Sequence, residues 1–270
     1  MKLTKILGLT AVASIVAIAC TTNPVTGRKS IQIGSLNSQI MTSSFQQYKE
    51  TLAKSKVITG TAAATQVQKV GNNIKNAAVK YYTSIGRASD LDGYAWEFAL
   101  IQDDQVNAWC MPGGKVAVYT GILNTTQNET GMAVVVGHEV AHALAGHGNE
   151  RISSQVIAQY GGQILGSTVS NGQIGQVIQS VYPIGAQAAL LKYGRKQELE
   201  ADEMGLYFMA MAGYDPRQAS PFWERMQALS GANNTPEFLS THPSADSRKS
   251  DIAKNLPRAL EYYKQAGGKL

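Results

Sequence analysis

Three of the four histidines in this 270-residue chain fall within ten positions, at His138, His142 and His147. The first two frame the pentad His138-Glu139-Val140-Ala141-His142. That spacing demands a helix, because only there do positions i and i+4 share a face. Two imidazoles so placed can hold one metal ion, and Glu139, one residue on, can reach a water bound there. The flanks, Met132-Ala133-Val134-Val135-Val136 and Ala143-Leu144-Ala145, are apolar, so the helix is expected to be buried on most sides. Buried imidazoles beside a buried carboxylate are costly without a partner, and a metal ion supplies one. The plainer reading is a core helix whose histidines merely bond to their neighbours. It leaves the spacing unexplained.

Two histidines leave a catalytic metal site one protein ligand short. A glycine seven residues and a histidine ten residues after the first ligand would complete one known pattern, but Ala145 and Gly148 stand there. His147 is off by one and reads as a helix-end or surface histidine. A carboxylate on a second helix is the alternative, and Glu198-Leu199-Glu200-Ala201-Asp202 offers it. Glu198 and Asp202 share a face with the small or apolar Ala201, Gly205 and Phe208. Glu200 and Glu203 fall elsewhere and are expected in solvent. Asp202, one turn from Glu198, is placed to accept a hydrogen bond from the outward nitrogen of a ligating histidine.

Five blocks in order give the chain a resemblance. They are Asn23-Pro24-Val25-Thr26-Gly27-Arg28, Asn107-Ala108-Trp109-Cys110-Met111-Pro112-Gly113-Gly114, the HExxH pentad, the Glu198 to Asp202 run, and Ser240-Thr241-His242-Pro243 with Arg248. The chain resembles the M48 zinc metallopeptidases, more closely their bacterial lipoprotein branch. The resemblance implies an α+β fold, mainly helical and zincin-like, with a small mixed sheet. It implies one zinc ion per chain, held by His138, His142 and Glu198, with Glu139 as the catalytic base and Asp202 behind the ligands. His242 matches a histidine that either occupies the open coordination position or stabilises the oxyanion. Arg248 matches a basic residue supporting the same region. The hairpin read from Ala108–Met111 and Val116–Tyr119 implies an edge strand beside the metal helix, where a substrate peptide adds by main-chain hydrogen bonds. Asn107 and Ala108 are the candidates for those contacts.

The start of the chain reads as an export signal. Lys2 and Lys5 precede a mostly apolar run from Ile6 to Ala19, too short for a comfortable membrane span. It ends in Ala17-Ile18-Ala19-Cys20, which looks like a lipobox with Cys20 as the lipidated residue. Residues 1–19 are thus expected to be a signal peptide, 20–40 a lipid-anchored tether that docks on the body, and 41–270 the metallopeptidase domain. Thr21 after Cys20 points to the periplasmic face of the outer membrane if the source is Gram-negative. With Cys20 lipidated only Cys110 remains, so no intramolecular disulfide is possible. Removing Lys2 and Lys5 from the 24 basic residues leaves 22 against 19 acidic ones. No basic patch interleaves with aromatics, and nucleic acid is not an expected partner.

Residues 41–83 read as helical and Trp96–Ile101 as a strand. Ile152 to Leu191 carries no charged side chain and reads as a helical hairpin with Gly-rich breaks near 161–175. A last helix is expected from Ala245 to Gln265. The function expected is a zinc endopeptidase of the cell envelope acting on misfolded or misassembled envelope proteins, in contact with the membrane through Cys20 and with envelope assembly machinery. Two alternatives stand beside it. One is a thermolysin-like zincin, against which the order of the blocks argues. The other is a chaperone-like assembly factor whose peptidase activity is latent.

Overall fold

A computed structural model describes residues 18–165, 171–181, 194–230, 235–242 and 248–270. Most of the leader, the glycine-rich break at 166–170, residues 182–193 and Pro243 lie outside the described residues. The strands are β1 (Ile18–Thr22), β2 (Lys29–Ile33), β3 (Val57–Ile58), β4 (Glu97–Ile101), β5 (Ala108–Met111) and β6 (Lys115–Tyr119). The helices are α1 (Asn37–Lys54), α2 (Ala62–Ser84), α3 (Leu123–Thr126), α4 (Glu129–Leu144), α5 (His147–Leu165), α6 (Asn171–Val181), α7 (Arg195–Met211), α8 (Ala219–Ala228), α9 (Glu237–Thr241) and α10 (Arg248–Gln265). The chain is α+β, mainly helical, with small sheets. Among the described residues no helix is long and apolar enough to cross a membrane.

The larger sheet runs β3-β4-β6-β5 and is mixed, with β4 and β6 parallel and the other pairs antiparallel. Its strands are apolar almost throughout because both faces are covered. Phe98, Leu100, Ala108, Cys110, Val116 and Val118 turn to the main core with α2 and α4. Ala99, Ile101, Trp109, Met111, Ala117 and Tyr119 turn to the opposite side, where Tyr48 of α1 packs. The expected single helical stretch over 41–83 is two helices. Gly60 takes a positive φ of 70°, and Val57 pairs with Ile101 in the short strand between them.

Two glycines bring the motif helices together. A Cβ on Gly205 of α7 would lie 2.8 Å from the His138 nitrogen, and one on Gly137 of α4 would lie 2.9 Å from the Gly205 oxygen. The backbones touch there, so side chains on either side of the crossing converge. α10 packs along α7. Residues 20–40 form a hairpin of β1 and β2, then enter α1 at Asn37. The hairpin lies on α5, with the Ile33 N–H donating to Ser153 Oγ at 2.9 Å. Val156 of the uncharged segment, with Val177 and Ile178, packs with Ile33, Leu36 and Ile40 in a second apolar cluster. The segment's described part therefore serves packing.

Candidate metal centre and active site

The helix that carries HExxH is well started and well stopped. The Asn128 side chain caps it by accepting from the Gly131 N–H at 2.9 Å. Gly146, at a φ of +67°, ends it and turns the chain back. His138, Glu139 and His142 are each 1% exposed.

Four donors converge: His138, His142, Glu198 and His242. Nε2 of His138 lies 3.0 Å from Nε2 of His142 and 3.2 Å from Nδ1 of His242. The Glu198 carboxylate is 3.2 Å from His242 Nδ1 and 3.4 Å from both His138 Nε2 and His142 Nε2. Zinc bonds of about 2.0–2.1 Å to nitrogen and oxygen give a tetrahedron with edges of roughly 3.3 Å. The spacing and the donor types, three imidazoles and one carboxylate, thus fit zinc. The charge fits a cation too. Burial works to lower the pKa of His138, but the Asp202 and Glu198 carboxylates prevail and push it up to about 10. Burial keeps His142 well below its ordinary value, hence neutral and ready to ligate. Burial would raise Glu198, yet His242, His138 and His142 hold it well below the carboxylate range.

Behind His138, Nδ1 lies 2.9 Å from Asp202 Oδ1. Arg248 donates to Asp202 at 2.6 Å and to Glu198 at 3.0 Å, with its guanidinium 3.8 Å from the centre of the Trp223 ring. Behind His142, Nδ1 lies 2.8 Å from Nδ1 of His147, whose Nε2 lies 2.9 Å from Glu200 Oε2. Thr26 donates to Glu200 at 2.6 Å, and Arg28 pairs with the same carboxylate. His147 is therefore not at the surface but fully buried at the start of α5, and Glu200 is 4% exposed. The helix-end reading of His147 holds, whereas its surface reading and the solvent reading of Glu200 are corrected. The face of α7 assigned to solvent is covered by the Asn23–Arg28 loop, which spacing along α7 could not disclose. Glu203 is half-buried and accepts from the Tyr207 hydroxyl at 3.2 Å. The glycine before His147 was the one local signal that the chain doubles back there.

Glu139 sits beside the sheet edge. Burial raises its pKa, against the nearby His242 and His138 and a hydrogen bond from the Cys110 backbone N–H. Its Oε1 has no hydrogen-bond partner among the described residues and lies 3.5 Å from His242 Nε2. β5 is the edge strand, but Asn107 does not offer its carbonyl there. The Tyr119 N–H donates to the Asn107 carbonyl at 3.1 Å, which turns that carbonyl toward β6. Ladder alternation then turns the backbone N–H and C=O groups of Ala108 and Cys110 away from β6. The Asn107 side chain instead accepts from the Ala108 N–H at 2.9 Å. One edge carbonyl, that of Val106, accepts from the Phe238 N–H at 3.1 Å. Phe238 also stacks on His242, with centroids 4.6 Å apart. A cleft of about 760 Å³ opens between the β1–β2 hairpin, α1 and the loop before Tyr94. It shares Asn37, Met41, Tyr94 and Gly146 with a smaller pocket that reaches His142 and Cys110. Cys20 is exposed and Cys110 buried, both as free thiols.

An HExxH helix crossed by a second helix that supplies a carboxylate ligand candidate is the construction of a metallopeptidase centre. The chain belongs to peptidase family M48, whose sequence model matches residues 65–255. It is 36% identical over 179 residues to the mitochondrial metalloendopeptidase OMA1 of Arabidopsis thaliana, covering 66% of this chain and 35% of that protein. It is 36% identical over 183 residues to the protein of the same name in Schizosaccharomyces pombe, with 67% and 52% covered. Over 178 residues it is 30% identical to the beta-barrel assembly-enhancing protease of Yersinia pestis, with 63% and 36% covered. The chain thus spans about a third to a half of the length of these relatives.

Proposed function

We propose that this chain is a zinc-dependent endopeptidase, anchored through a lipid on Cys20 to a bacterial cell envelope, that cuts misfolded or misassembled envelope proteins. The observation that carries the reading is the four-donor cluster with Glu139 between it and the β5 edge. His138, His142 and Glu198 would hold the zinc ion. When bound, zinc supplies Lewis acidity that polarises the scissile carbonyl and makes water a nucleophile near neutral pH. Glu139 takes the proton as the water oxygen bonds to the carbonyl carbon, and returns it to the amine as the C–N bond breaks. A base with a raised pKa suits both transfers. The carbonyls of Ala108 and Cys110, on the outer side of β5, accept from the substrate main chain as an added strand, while their N–H groups stay with Asn107 and Glu139. The pocket from His142 into the larger cleft gives an extended polypeptide a path.

The envelope and the anchor rest on the leader, the exposed Cys20 in β1, and the likeness to a relative named for β-barrel assembly. A casein digest with and without chelator, restored by added zinc, tests the activity. Hydrolysis that survives metal removal refutes it. Cys20→Ser tests the anchor, and unchanged membrane fractionation and leader processing in that variant refute it.

One observation favours the second reading, a chaperone-like factor with latent activity. His242 Nδ1 stands where a fourth ligand would, which leaves no position for water. If His242 restrains the site, His242→Ala raises basal hydrolysis. If it serves the oxyanion, the same change lowers kcat by roughly a hundredfold. Equal activity in the variant defeats both roles.

A further inference from the structure

The Asn23–Arg28 loop lies far from the motif helices in sequence, yet it is built as a rigid piece. The Asn23 Oδ1 accepts from the Val25 N–H at 2.9 Å, and the Asn23 N–H donates to the Arg28 carbonyl at 2.9 Å. Val25 is buried in the main core. The loop then grips two carboxylates. Arg28 donates to Glu150 at 3.0 and 2.7 Å through both terminal nitrogens, while its Nε and the Thr26 hydroxyl engage Glu200. Glu200 thus takes two donors from the loop and turns its Oε2 to His147 Nε2 at 2.9 Å.

The proton positions along this chain follow from one premise, that His142 ligates through Nε2. A neutral His142 then carries its proton on Nδ1 and donates to His147 Nδ1. His147, accepting on Nδ1, carries its own proton on Nε2, which faces Glu200 Oε2 at 2.9 Å. It donates that proton to Glu200. Every link has one direction, ending on an anion held by Arg28 and Thr26. Carboxylate partners of this kind fix ring orientation and raise ligand basicity at metal sites.

We propose that the Asn23–Arg28 loop is a clamp on the metal ligand His142, acting through Glu200 and His147, with Arg28 as its positioning residue. The clamp rests on the metal-centre reading above. It gives the first block of the chain a task at the centre, and it makes zinc retention depend on whether the loop is docked.

The test measures zinc dissociation from the full chain by competition with a chromophoric chelator, together with the visible spectrum of the cobalt-substituted protein. Arg28→Met and His147→Phe are expected to weaken zinc binding about tenfold to a hundredfold and to alter the cobalt spectrum. Arg28→Lys keeps the charge without the fork and falls between these and wild type. Val70→Ala, a core truncation in α2, lowers the melting temperature but leaves the zinc constant unchanged. If Arg28→Met does not fold, Thr26→Val removes one donor from Glu200 and still weakens zinc in the same direction. Wild-type affinity and spectrum in a folded Arg28→Met, or in Thr26→Val where that chain fails to fold, overturn the clamp alone. A wild-type chain that takes up no zinc overturns the metal centre itself.

Discussion

His138 and His142 leave one helix a single turn apart, yet they are held from opposite ends of the chain. Behind His138 stands one carboxylate, Asp202, backed by Arg248 of α10. Behind His142 stand a second histidine, then Glu200, then Arg28 from just before β2. Both arms end in an arginine on a buried anion. The first is short, and its arginine also touches the ligand Glu198. The second is one residue longer. A direct carboxylate passes its full charge to the ring it faces, whereas an intervening neutral ring passes on mainly orientation. The His138 arm should therefore set affinity, and the His142 arm should trim it.

The largest effects come from the residues that both arms serve. Glu198→Gln removes the anion at the centre, and zinc affinity should fall by more than the roughly hundredfold that an outer partner can cost. Metal analysis of the purified variant at full occupancy would strike Glu198 from the ligand set. Glu139→Gln leaves both arms intact. It should keep zinc and cut kcat by about 10² to 10⁴, the usual range for a general base. Turnover like that of wild type would end the proposed mechanism.

The two arms also differ in how legible they are. Asp202 could be read because it sits four residues from Glu198, and helical spacing alone puts both on one face. Strands β4, β5 and β6 are readable for a similar reason, since short apolar runs, two of them closed by Pro112-Gly113-Gly114, leave few other choices, whereas β3 falls inside the stretch that reads as helical. Glu200 could not be read. Helical spacing turns it away from Glu198, and without knowledge of what covers that face the default is solvent. Arg28 lies 172 residues from its partner Glu200. No local pattern links them. Asn107 was misread for another reason. The strand was placed correctly, but which carbonyl faces the edge depends on ladder phase, and the Tyr119 N–H sets that phase.

Asp202→Asn against Glu200→Gln puts the comparison to direct trial. Each keeps shape and removes one charge. Asp202→Asn should weaken zinc near the upper end of the tenfold to hundredfold range, and Glu200→Gln near the lower end. Chelator competition on the two variants side by side reads the ratio. Equal losses would mean that the intervening His147 carries charge as well as orientation, and the distinction between the arms would fail.

The smallest effect is on the stability of the metal-free protein, and it separates the arms by pH. His138 is raised from 6.5 to about 10 by its carboxylates. Its contribution is fully present below 6.5 and disappears as pH climbs through 10. Glu150 and Glu200 are both lowered from 4.5, despite burial, by Arg28 and their other partners. Their contribution is present above 4.5 and disappears as pH falls through their lower folded values. Melting temperature followed across pH should therefore fall at both ends, the alkaline loss belonging to the His138 arm and the acid loss shared by Glu150 and Glu200 of the His142 arm with the central Glu198. Asp202→Asn should flatten the alkaline side and spare the acid side. Arg28→Met should do the reverse, because without the guanidinium the two glutamates return toward their ordinary range and the folded and unfolded states bind protons alike. A variant that moved both limbs equally would show that the arms respond as one network through His138 and His142, and that their separate origins in the chain leave no separate energetic trace.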